Sequence, residues 1–239
     1  MADLTAGFVE KIEAMAAASN RFVQVGDYTY TNSMTWTRID PPKVSPHSLS
    51  SLDGLTTYVR EVADFGKDRV CFVVDKPMRV VVAGSLNSGA IRQCYATANL
   101  DAQGFDFGEF MPQEKFIIGL QTQFLPNASL DQLIKTVSSI ASEDVRVSVD
   151  DGVSQEVTVK ASLAKMDRAT LPNRIELRPF RTFREVGQPA SEFLLRAQKD
   201  SRGVNLALFE ADGEAWVIEA KNNIREYLLR ECPSVPVLV

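Results

Sequence analysis

Histidine is almost missing from this chain. His47 is the only one in 239 residues, and it sits in the proline-rich segment DPPKVSPHS. One histidine excludes histidine-cluster metal sites. It also leaves any Ser-His or Cys-His nucleophile dependent on His47 itself, which reads as a loop residue without a chemical role. Cysteine is scarce too. Cys71, Cys94 and Cys232 are odd in number, far apart and form no CxxC pair, so neither a zinc site nor a disulfide framework is indicated. No apolar run reaches the length of a membrane span. The N-terminal stretch MADLTAGFVEKIEAMAAASNR lacks a basic region ahead of an apolar core, which argues against a secretory signal. Excess positive charge is missing as well. The formal net charge is −5, so no global basic field awaits nucleic acid. There is no Walker lysine, no Rossmann fingerprint, no GxSxG elbow and no HExxH. The glycine-rich AGSLNSGA (83–90) is at best a weak phosphate cradle.

What is present suits a folded protein. The apolar fraction is 45% and the charged fraction 24%, enough to bury a substantial core at this length. Leu4, Phe8, Ile12 and Met15 recur at helical spacing and predict a helix over 4–18. Residues 21–39 alternate threonine with aromatics and read as strands. Leu52, Leu55, Val59 and Val62 mark a helix near 49–64, and Val70–Asp75 with Arg79–Gly84 predict a hairpin around Lys76-Pro77. A third strand is expected at 92–98. Phe116, Leu120 and Phe124 predict a helix over 113–124, and a second stripe from Leu130 to Ile140 follows a Ser129/Gln132 capping box. Val145, Val147 and Val149 then alternate toward an Asp151-Gly152 turn, with 157–161 as the return strand. Strands follow at 173–178, 192–198 and 204–210. Trp216 to Leu228 reads as a helix, and VPVLV as a short edge strand. Antiparallel hairpins with packed helices make this an α+β fold. The loop 99–112 is the candidate boundary between an N-terminal mixed part (1–110) and a C-terminal α+β part (111–239), with a single domain as the alternative.

Two constellations carry candidate chemistry. Arg174, Arg178, Arg181, Arg184 and Arg196 share a stretch without lysine. Arginine suits planar, bidentate recognition of carboxylate or phosphate, so this is the candidate binding or interface surface. The interleaved Glu176, Glu185 and Glu192 and the acidic balance favour ion pairing, within the fold or between subunits, over a nucleic-acid site. The second constellation is Glu210, Asp212 and Glu214 with Glu219 and Lys221. In nucleases of the PD-(D/E)xK type, carboxylates on adjacent strands hold Mg²⁺ while a lysine assists the attacking water. Asp212, Glu219 and Lys221 would be those groups. Here the motif is short, the separation tight and the apolar spacing helical, which disfavours that reading. Phe105, Phe107 and Phe110 in the 99–112 loop read as aromatics buried under it, with contact to a partner as the alternative. No metal and no cofactor are expected.

FLPNASLDQLIKTVSSI (124–140), DDGVSQEVTVK (150–160), LPNRIELRPFRTFREVGQPASEFLLR (171–196) and LFEADGEAW (208–216) together carry a likeness. Over residues 116–230 the chain resembles the YfdQ-like family of uncharacterised phage and prophage proteins. That resemblance implies a phage-encoded protein in the cytoplasm of the infected bacterial host, and brings no catalytic assignment. The expectation is a non-enzymatic protein acting as a homo-oligomer, with a ring or shell as one form. The alternatives are a nucleic-acid metabolism factor that binds or cuts DNA, and a counter-defence binding protein.

Overall fold

A computed structural model describes residues 6–19, 21–26, 28–32, 36–39, 45–63, 65–66, 68–86, 90–101, 104–140, 155–162, 165–171, 174–201 and 203–239. The chain divides into two compact units, one formed by Met1–Ser45 with Ser85–Gln93 and the other by Pro46–Gly84 with Cys94–Val239. A single cut near 110 therefore does not separate them, because residues 46–84 share a unit with the C-terminal half.

The first unit holds helix α1 (Ala6–Ser19) and an antiparallel meander of β1 (Arg21–Val25), β2 (Tyr28–Asn32) and β3 (Trp36–Ile39). The apolar spacing and the threonine–aromatic alternation both took the form they predict. No described side chain of this unit is buried.

The second unit contains two sheets with helices on them. β4 (His47–Leu49) leads into α2 (Leu52–Thr57), which widens into a π-turn over Tyr58–Val62. The helix expected near 49–64 thus starts later. Ser51 Oγ accepts from Gly54 N at its start, which fixes that boundary. His47 lies on a strand, not in a connector, and its ring is 5.1 Å from that of Tyr58. β5 (Cys71–Lys76) and β6 (Arg79–Leu86) form the expected hairpin, and β7 (Arg92–Asn99) follows. A Cβ on Gly84 of β6 would meet the Asp68 carboxylate and lie 2.9 Å from the Tyr95 ring, so this glycine serves close packing. Residues 87–89 of the glycine-rich run lie outside the described residues.

β8 (Met111–Pro112) precedes α3 (Gln113–Gln123) and α4 (Ala128–Ser139). The Ser129/Gln132 capping box does not form. Asn127 is the cap, and its Oδ1 accepts from Leu130 N at 2.7 Å. Both residue types suit the role, and Pro126 sets the chain direction one residue earlier. The expected strand at 145–149 and the Asp151-Gly152 turn lie outside the described residues. β9 (Gln155–Ser162) pairs with β10 (Lys165–Leu171). β11 (Arg174–Leu177), β12 (Ser191–Asp200), β13 (Gly203–Glu210), α5 (Ala215–Glu231) and β14 (Val237–Leu238) complete the chain.

One sheet runs β11-β12-β13-β8 and the other β14-β5-β6-β7-β4. Phe116, Leu120, Leu133 and Val137 of α3 and α4 pack on Leu177, Phe193, Leu195 and Leu206 of the first sheet. Ile224 and Leu228 of α5, with Leu52 and Leu55, pack on Phe72, Val80 and Val82 of the second. The fold is α+β, with a C-terminal helix followed by a short edge strand. That strand pairs in parallel with β5 of its own chain.

Candidate functional site: the arginine segment

The segment between β11 and β12 ties the two cores of the second unit together. Alternation along β11 buries Ile175 and Leu177 in the first core and leaves Arg174 and Glu176 exposed. Arg178 continues that alternation, exposed, just past the strand end. Further on, Phe193 of β12 returns to the first core. Between them Phe183 is fully buried in the second.

Gln188 shapes the crossing. Its Oε1 accepts from Arg181 N at 3.0 Å and Thr182 N at 3.1 Å, and its Nε2 donates to Phe183 O at 2.9 Å. Buried backbone groups without ladder partners are thereby satisfied by one side chain. Thr182 Oγ1 donates to Pro77 O at 2.5 Å, which fastens the segment to the β5–β6 turn. Glu185 Oε1 accepts from Leu52 N at 2.7 Å and so caps α2 from across the unit. Asn223 of α5 donates to Gly187 O at 3.0 Å.

Arg181 is the centre. Its side chain is 8% exposed, and Nη1 pairs with Glu210 Oε1 at 2.5 Å. Nη2 donates to Ser191 Oγ, which in turn donates to Asp212 Oδ2. Asp212 also accepts from Glu214 N at 3.2 Å at the start of α5. The guanidinium carbon lies 4.0 Å from the centre of the Trp216 ring and 5.7 Å from that of Phe193. Burial brings the Arg181 guanidinium down from the usual arginine range to about 10, against the opposing pull of Glu210 and Asp212. Arg181 Nε and Trp216 Nε1 are buried donors without a protein acceptor.

The remaining arginines are dispersed. Arg174 Nη1 pairs with Glu192 Oε2 at 2.6 Å across β11 and β12, both side chains more than half exposed. The Arg184 guanidinium lies over the Phe180 ring at 3.8 Å. Arg196 lies on β12, and its Nη1 donates to Leu195 O at 3.0 Å. The five arginines therefore do not converge. Of the expected acidic partners, Glu192 takes Arg174, while Glu185 serves as a helix cap.

Asp212 is taken up by Ser191, Arg181 and the start of α5. Glu219 and Lys221 fall on α5, with Glu219 exposed. They do not sit on a strand beside Asp212, as a PD-(D/E)xK site requires. Among the described residues no three His, Cys, Asp or Glu gather to hold a metal ion. Phe105 is buried and Phe107 stacks on Phe193 at 5.0 Å, while Phe110 is 39% exposed beside Phe209.

Sequence reasoning passed over Gln188 and Ser191, and it placed Glu210 and Trp216 without pairing either with Arg181. Two of the four had a local signal. Gln188 stands between Gly187 and Pro189, where a side chain is well placed to satisfy a turn. Trp216 closely follows the Asp212-Gly213 turn.

Compared with protein-family models, curated proteins and solved structures, the chain matches none of them.

Proposed function

We propose that this is a non-enzymatic protein that works as a homo-oligomeric assembly. One contrast carries the reading. Arg181 and Asp212, two of the residues that suggested a site, are turned onto the chain itself, while large apolar residues stay exposed. Arg181, Asp212, Gln188 and Glu185 hold two cores and two helices in place. Phe8, Ile12, Met15, Phe22 and Val25 are each about half exposed or more. A contiguous exposed apolar patch of this kind marks an interaction surface. The resemblance of residues 116–230 to YfdQ-like phage and prophage proteins extends this reading to a phage-encoded protein in the cytoplasm of the infected host. No helix among the described residues is long and apolar enough to cross a membrane. Native mass spectrometry of the purified full chain tests the reading. The expected species is a multiple of 26.4 kDa; a monomer throughout the micromolar range contradicts it.

A further inference from the structure

We infer that α1 and β1 form the surface on which a second copy of this chain seats, stripe against stripe. This rests on the homo-oligomer reading and names the surface that serves it. Phe8, Ile12 and Met15 follow one another at spacings of four and three along α1, and are 51%, 49% and 66% exposed. That spacing is the apolar seam of a paired helix. One residue separates α1 from β1, where Val23 and Val25, on one face of the strand, are 37% and 60% exposed. β1 is also the outer strand of its three-stranded sheet, so one of its backbone edges is unpaired in that sheet.

Two physical requirements meet here. A helix of 14 residues is marginal in water without a packed face. A three-stranded sheet needs an apolar layer against it, and β1 presents Val23 and Val25 exposed. A second copy presenting the same surface satisfies both at once, which is the arrangement of a two-fold interface.

The size is of the right order. At roughly 120 Å² per large side chain, the exposed fractions of Phe8, Val9, Ile12, Met15, Val23 and Val25 leave about 370 Å² of apolar surface. A standard interface covers about 800 Å² on each partner, a little over half of it apolar. The charges fit a protein partner as well. Glu10, Lys11 and Glu13 are the charged residues of α1. They lack the basic flank that a helix lying on an anionic membrane carries, and the cationic footprint that nucleic acid demands.

The test compares the full-length chain with Ile12→Glu/Met15→Glu and with Glu13→Gln by light scattering after gel filtration. The native chain and E13Q should share one multimeric mass. The double variant should fall to half of it or less, with its far-UV circular dichroism retained. A double variant that keeps the native mass overturns this surface and leaves assembly standing through another. A native chain that is itself monomeric overturns both. Should the double variant misfold, amide exchange of the native chain decides. Protection over residues 6–25 should rise with protein concentration, and protection independent of concentration overturns the inference.

Discussion

Replacing Arg181 with alanine should cost about 3–5 kcal/mol, because it removes one partner from a buried ion-paired cluster and leaves the others in place. The geometry sets that range. Arg181 is 8% exposed, Asp212 11% and Glu210 32%. Glu210 reaches water and recovers part of its solvation. Asp212 does not, and keeps only Ser191 and the α5 backbone. The lost guanidinium also takes away the flat contact with Trp216 at 4.0 Å and leaves a cavity between two cores. For a chain of this size the loss corresponds to a fall in Tm of roughly 6–20 °C. Urea unfolding followed by tryptophan fluorescence reads it directly in a Trp36→Phe background, where Trp216 is the remaining tryptophan. Arg181→Met/Asp212→Asn should recover about half of the loss, since it removes the stranded charge and refills the volume. If Arg181→Ala lies within about 1 kcal/mol of the parent, the cluster does not hold the joint. Its arginine would then be free to serve a ligand, and the reasoning would fail.

Three further outcomes follow from local geometry. Gly119→Ala should destabilise by about 1–2 kcal/mol in thermal unfolding although alanine favours helix, because the new methyl would lie 2.8 Å from Phe105 Cε2; a stabilised variant would refute the contact. Asn127→Ala should cost about 1 kcal/mol and Ser129→Ala much less, since Asn127 makes the cap; the reverse order, in chemical denaturation, would restore the capping box. Tyr95 is pushed up from 10.0 to about 12 by burial and then by the Asp68 carboxylate that accepts from its hydroxyl at 2.8 Å. The neutral phenol stabilises the fold below pH 10, and that contribution disappears as the pH rises toward 12. Tyrosinate absorbance should therefore show a step near 12 that Tyr95→Phe lacks, and its persistence in the variant would contradict the assignment.

The order of elements was legible because period carries it. Leu130, Leu133 and Val137 could only line one face of a helix, and they are buried in α4. The strand expected at 204–210 likewise formed, as β13. Boundaries were less legible, because Asn127 and Ser129 are chemically equivalent caps and only the chain path chooses between them. The arginine segment was found, and the ion pairing it favoured forms for Arg174 with Glu192 and for Arg181 with Glu210, but which arginine meets which partner was not legible. Its five cations face different ways because the segment leaves β11, crosses to the second core at Phe183 and comes back. The distant partners of Arg181, namely Glu210, Asp212 and Trp216, are set by strand pairing of β12 with β13. No local pattern contains that information. The same holds for Glu185, whose target Leu52 N is 133 residues away.

Sedimentation velocity of the unmodified chain over a concentration series is the most direct measurement of the central idea, that exposed apolar surface and not a polar pocket does this protein's work. The account predicts a species at least twice 26.4 kDa that gives way to the single chain on dilution. A lone 26.4 kDa boundary at every concentration would contradict it.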